Sequence, residues 1–166
     1  MKGSASMRGL TFAACAFVLV STPISAETVI IGSKDGSDIV TVRVGESARS
    51  KQSLPFFPGV STKTTGAKGL SLMKVVIPPG GSAEAHVHKG HESAIYVIQG
   101  KVETHYGPKL EKRIVNVAGD FIFIPPDVPH QPFNLSKTEP AIAIVARNDG
   151  EEQEHVILLP KGDGGK

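Results

Sequence analysis

Short runs of β-branched and aromatic residues recur along the chain, each closed by turn residues. Val29-Ile30-Ile31 stops at Gly32, and Ile39 to Val44 stops at Gly45. Leu70 to Ile77 ends at Pro78-Pro79-Gly80-Gly81, while Ala94 to Ile98 and Val102 to Tyr106 flank Gln99-Gly100. Ile114 to Val117, Phe121 to Ile124, Ala141 to Ala146 and His155 to Leu159 complete the series. Runs this short suit strands, and no long stretch keeps the 3.6-residue period of an amphipathic helix. The pattern predicts an all-β sandwich or barrel, with a hairpin at Gln99-Gly100. Ser47 to Gly69 is polar and Gly-containing and is predicted to be a loop, pinned to the barrel by Phe56 and Phe57.

The first 26 residues break this pattern. Lys2 and Arg8 give a basic start, Leu10 to Val20 is nearly all apolar, and Ser21-Thr22-Pro23-Ile24-Ser25-Ala26 is small and helix-breaking. That layout predicts a secretory signal peptide over residues 1–26, cleaved after Ala26. The apolar run is too short to cross a ~30 Å hydrocarbon core, so no stable membrane anchor is expected. The chain is therefore expected to be exported, either to a periplasm or out of the cell. Lys161 to Lys166 offers nothing to bury and is expected to form a disordered tail. A single domain over residues 27–160 remains.

Composition narrows the function classes. Lys2 and Arg8 account for the whole formal charge of +2, and Cys15 is the one cysteine of the chain. The remainder is neutral and thiol-free, which excludes cysteine redox chemistry and gives no electrostatic footprint for nucleic acid.

Histidine carries the chemical signal. His86, His88 and His91 crowd behind the Pro-Gly turn, and His130 follows Pro125-Pro126-Asp127-Val128-Pro129. In an extended segment His86 and His88 face one side, about 7 Å apart at Cα, a span two imidazoles can close around an ion. Glu92 adds a carboxylate nearby, and His130 can join from a distant strand.

Gly80, five residues, His86-Val87-His88, three residues, Glu92 and then Gly100 resembles the first motif of the cupin superfamily (80–100). Gly119, five residues, Pro125-Pro126-Asp127, two residues, His130, three residues and Asn134 resembles its second motif (119–134). The resemblance implies a double-stranded β-helix, or jelly-roll, barrel. It also implies that His86, His88, Glu92 and His130 bind one divalent transition metal (Fe, Mn, Ni, Cu or Zn).

Two positions depart from the motifs. Asp127 stands where the family has Gly, in a left-handed turn that Asp tolerates. Counted forward from His88, the family Glu falls on Glu92; counted back from Gly100, it falls on Ser93. A one-residue shift reverses the face a strand residue uses. The expectation is that a bulge absorbs the extra residue and Glu92 binds; otherwise the centre is three-His, with His91 as a substitute ligand.

The pocket wall is expected from Ile77, Ile95 or Tyr96, Phe121 or Phe123, Phe133 and Ile144, with Tyr96, Gln131 and Arg147 as polar handles. His105 is expected at the surface or rim, and His155 is expected in solvent. The resemblance implies an enzyme of dioxygenase, decarboxylase or isomerase/lyase type on a small oxygen-bearing molecule; a non-enzymatic binding module is the alternative. A homodimer through the strands Val29–Ile31 and Ile39–Val44 is also expected.

Expressed with its leader in a secretion-competent host, the protein should be recovered outside the cytoplasm. Intact-mass analysis should find Glu27 as the first residue; retention of Met1 in the exported form would contradict the cleavage.

Overall fold

The computed structural model describes residues 27–151 and 153–160. The expected signal peptide and the terminal tail lie outside them. The described residues form thirteen strands and one short helix. In chain order the strands are β1 (Val29–Ile31), β2 (Thr41–Arg43), β3 (Ala48–Arg49), β4 (Pro55–Val60), β5 (Ser71–Ile77), β6 (His86–His88) and β7 (Ser93–Gln99). Then follow β8 (Lys101–Tyr106), β9 (Lys112–Val117), β10 (Phe121–Ile124), β11 (His130–Asn134), β12 (Ala141–Arg147) and β13 (Val156–Leu158). Helix α1 is Thr62–Thr65.

Two antiparallel sheets make the barrel. One runs β10-β7-β12-β5-β4-β3 and the other β13-β6-β11-β8-β9; β1 and β2 pair separately. The jelly-roll expected from the motifs is the fold observed. Period-two alternation sets the inside: in β12, Ala143, Val145 and Arg147 face the barrel interior, while Ile142, Ile144 and Ala146 take the other side. Leu54, Ile77, Ala83, Val102 and Ala141 form one buried cluster, and Phe56, Met73 and Val145 form another.

Two expectations are corrected. Ser47–Gly69 is not a plain loop but carries β3, β4 and α1. Pro55, Pro58 and Gly59 disguise β4, which tolerates them because its outer neighbour β3 is only two residues long. Phe56 is buried within it, and Phe57 lies beneath Lys74, whose Nζ is 3.8 Å from the ring centroid. Gln99-Gly100 is not a hairpin turn: β7 and β8 belong to different sheets, and the chain crosses between them there. Gly100 has φ +92°, and a Cβ on it would meet Ala141 Cα at 2.9 Å, so both conformation and space require glycine.

Asn134 closes the opposite end of β11. Its Nδ2 donates to the carbonyls of Ile77, Pro78 and Glu139 at 3.1, 3.1 and 2.8 Å, and its Oδ1 accepts from the Ser136 amide at 3.0 Å. Replacing it strips partners from buried main-chain groups. Asn134→Ala should therefore cost about 2–4 kcal/mol. Urea unfolding should show a lowered midpoint at unchanged slope; a loss under about 1 kcal/mol would contradict this role.

Candidate metal centre

Strands β6 and β11 lie side by side, with His130 directly opposite His86. His86 and His88 flank the half-buried Val87, so both imidazoles turn inward and are buried. The three rings sit 4.3 to 5.1 Å apart, centroid to centroid. One ligand nitrogen from each lies within 4.8 Å of the others.

Hydrogen bonds fix the tautomers. His86 Nδ1 lies 2.7 Å from the Glu84 carbonyl and His130 Nδ1 2.8 Å from the Val128 carbonyl. A carbonyl only accepts, so both Nδ1 atoms carry protons and both Nε2 lone pairs face the cavity. At His88 the roles are set from the other side. Arg147 Nη2, which only donates, lies 3.1 Å from His88 Nε2, and His88 Nδ1 has no hydrogen-bond partner. His86 and His130 therefore turn Nε2 lone pairs to the cavity while that of His88 accepts from Arg147; with the guanidinium moved aside, one atom from each ring would be available to a single ion.

The electrostatics agree. Burial, followed by the charge of His130, pushes His86 down to about 3. Burial also holds His88 and His130 below the ordinary histidine range, and Arg147 adds to this at both. Arg147 is itself pushed down to about 10 by burial, opposed by the charge of Asp149, and stays protonated at neutral pH.

Glu92 does not join this cluster. It is exposed, just before β7, with its amide donating to Asn148 Oδ1 at 2.8 Å. Ser93 takes the inward position: it is fully buried, lies opposite Arg147, and accepts from Arg147 Nε at 3.2 Å. The register of β7 against β12 does slip, but at the far end, where Gln99 and Val97 face consecutive residues of β12. That irregularity leaves the parity at Glu92 unchanged. His91 also stays outside, its ring stacked at a tilt against His155, 4.5 Å away. His155 is accordingly not simply solvated.

Parity decides the remaining wall candidates. Ile77 and Ile95 line the cavity, but Ile122 and Ile124 face it in place of Phe121 and Phe123, and Val145 in place of Ile144. Phe133 stacks with His105 and is not part of the wall. Tyr96 is exposed, with its ring against Phe121. Gln131 Nε2 donates to the Ala83 carbonyl, outside the cavity. Of the three polar handles, Arg147 alone is inside. Gln52 is an addition: it lines the cavity, and its buried Oε1 has no hydrogen-bond partner. It lies in the stretch read as a loop, and nothing in its local sequence marks it. Asp127 has φ +60° and makes the left-handed turn expected of it, with its Oδ1 accepting from the Gly90 amide at 3.2 Å.

The buried imidazoles make the fold acid-sensitive. His86 is neutral when folded, whereas the unfolded chain protonates it near 6.5. Its contribution is complete above that pH and is lost as pH falls toward 3. From pH 7 to about 4.5, His86 alone should remove about 2–3 kcal/mol. Urea unfolding of chelator-treated protein at both pH values checks this; equal stabilities would contradict it.

The sequence model of the Cupin domain matches residues 73–147. A curated relative, Germin-like protein subfamily T member 3 of Arabidopsis thaliana, is 33% identical over 122 residues, covering 69% of this chain and 50% of the relative. The chain thus spans about half the length of that relative. Among solved structures, a formate complex of Lactobacillus farciminis oxalate decarboxylase matches with TM-score 0.59 and 23% identity, over 69% of this chain and 33% of that one. A Bacillus subtilis oxalate decarboxylase, studied for its Mn(II) centres, matches with TM-score 0.57 and 22% identity, over 69% and 30%. At this identity the structural likenesses establish the fold. With both motifs in order, the jelly-roll in place and the domain matched, this chain belongs to the cupin superfamily, and residues 73–147 are its cupin domain.

Proposed function

We propose that this protein is an exported, metal-dependent cupin enzyme whose working unit is residues 27–160. It would hold one divalent transition metal on His86, His88 and His130 and act on a small organic molecule through an anionic oxygen. The observation that supports this most is the set of three inward Nε2 atoms in a buried cavity beside a buried guanidinium. The cavity, about 100 Å³, is lined mostly by apolar side chains such as Ile95, Val97 and Ile122.

Three imidazoles suit Fe, Mn, Ni, Cu or Zn. Such an ion would supply Lewis acidity to a bound oxygen, with a charge left uncancelled because among the described residues no carboxylate joins the three histidines. The chain's own residues do the rest. Glu84 and Val128 carbonyls orient two of the imidazoles. Arg147, braced by Ser93, presents a fixed positive charge that can pair with a carboxylate or enolate oxygen. Gln52 Oε1 can accept from a substrate hydroxyl, and the aliphatic wall keeps water away from the anion. A second reading, a binding module without turnover, is favoured by one observation: among the described residues no carboxylate lines the cavity to serve as a general acid or base.

Elemental analysis of purified protein should find about one transition-metal ion per chain in the barrel, lost in His86→Ala and His130→Ala. Absence of that ion from the wild type would overturn the reading. In O2-uptake and CO2-release screens of small carboxylic acids, turnover would favour the enzyme. Arg147→Met should then weaken kcat/KM by about 10–100-fold while metal content persists.

A further inference from the structure

Outside the barrel centre, His91, Asp149 and His155 come together from three separate segments. His91 lies in the turn after β6, Asp149 follows β12, and His155 precedes β13. One ligand atom from each lies within 4.8 Å of the other two. We propose that these residues form a second metal site, selective for borderline divalent transition ions of the Zn²⁺ type.

The donor set is two imidazoles and a carboxylate, which suits such ions and leaves positions for water. The carboxylate is the anchor. Asp149 has a side chain only 5% exposed, and its Oδ1 is occupied by the Glu151 amide at 2.9 Å. Its Oδ2 faces His155 Nδ1 at 2.9 Å. A metal bound to both atoms at about 2.1 Å in tetrahedral geometry would set them about 3.4 Å apart. The existing hydrogen bond thus has to open by only about half an ångström, with the ion replacing the shared proton.

His91 is oriented for the same purpose. Its Nδ1 lies 3.2 Å from the Asn148 carbonyl and must donate to it, which leaves the Nε2 lone pair available. The segments are already laced together. The Lys89 amide donates to the His155 carbonyl at 2.9 Å, and Glu92 and Asn148 exchange bonds through the Glu92 amide and the Asn148 amide. Little ordering remains for an ion to impose. Because His91 is three residues past His88 and Asp149 two past Arg147, an ion here would clamp the two strand ends that furnish the barrel centre.

The test is equilibrium dialysis and calorimetry with Zn²⁺ alone on the intact mature chain, followed through two surface variants. His155→Ala and His91→Ala both alter accessible side chains, and circular dichroism verifies that they fold. The wild type should bind an ion that each variant weakens by at least about tenfold. The same loss should appear when His86 and His130 are also replaced by Ala. If the barrel centre fails to bind metal but this site stands, one Zn²⁺ remains, insensitive to His86→Ala and weakened at least about tenfold by His155→Ala. Unchanged Zn²⁺ stoichiometry and affinity in both His91→Ala and His155→Ala would overturn the proposal.

Discussion

Everything about the interior depends on strand parity, the rule that each residue along an extended chain faces opposite to the one before. In β6 it turns His86 and His88 inward together, and the antiparallel pairing with β11 sets His130 beside them. In β7 it selects Ser93 and excludes Glu92. In β12 it sends Arg147 inside and Ala146 to the other face, and the register then fixes Ser93 as its neighbour. No single contact energy is large. The constraint is geometric, and slipping β6 by one residue would turn Val87 inward in place of both histidines.

Much of this order is visible in the amino-acid sequence because parity is itself a sequence property. The strands holding Ile77, Phe121 and Ala141 alternate or run apolar between turn residues, and the motif histidines lie at spacings that only an extended chain could use. The failures share a cause. Between His88 and Gly100 the count can be anchored at either end, and the difference of one residue decides between a carboxylate and a hydroxyl. Tyr96, Gln131 and Arg147 are equally plausible as handles until the pairing fixes which face each uses. Gly100 reads as a hairpin turn because the local demand for positive φ is the same at a tight turn and at a crossing between sheets. Choosing between those requires knowing which strands pair, and that information is spread over the whole chain.

The barrel also separates two kinds of polar burial. Asn134 spends its amide entirely on carbonyls at the sheet end, so its role is architectural. His86 and His130 instead spend only Nδ1 on the scaffold and keep Nε2 directed into a largely apolar space. Holding such groups costs stability, because desolvation opposes the protonated forms and an unused lone pair in a low-dielectric cavity forfeits hydration. A fold that retains this cost is one in which the lone pairs have a use, which is the logic of a functional centre rather than of a core.

The Arg147–His88 hydrogen bond has a consequence for metal affinity. Any incoming ion must evict a charged donor from the lone pair it needs, a contact of roughly 1.5–3 kcal/mol, or about a 10- to 100-fold handicap. The handicap is the same for every metal, whereas intrinsic affinities climb from Mn²⁺ to Cu²⁺. A constant handicap would lower every ion's occupancy by the same factor and leave their order unchanged, so discrimination would have to come from the imidazole donors themselves. The guanidinium that holds the His88 lone pair would thereby compete with any ion for it.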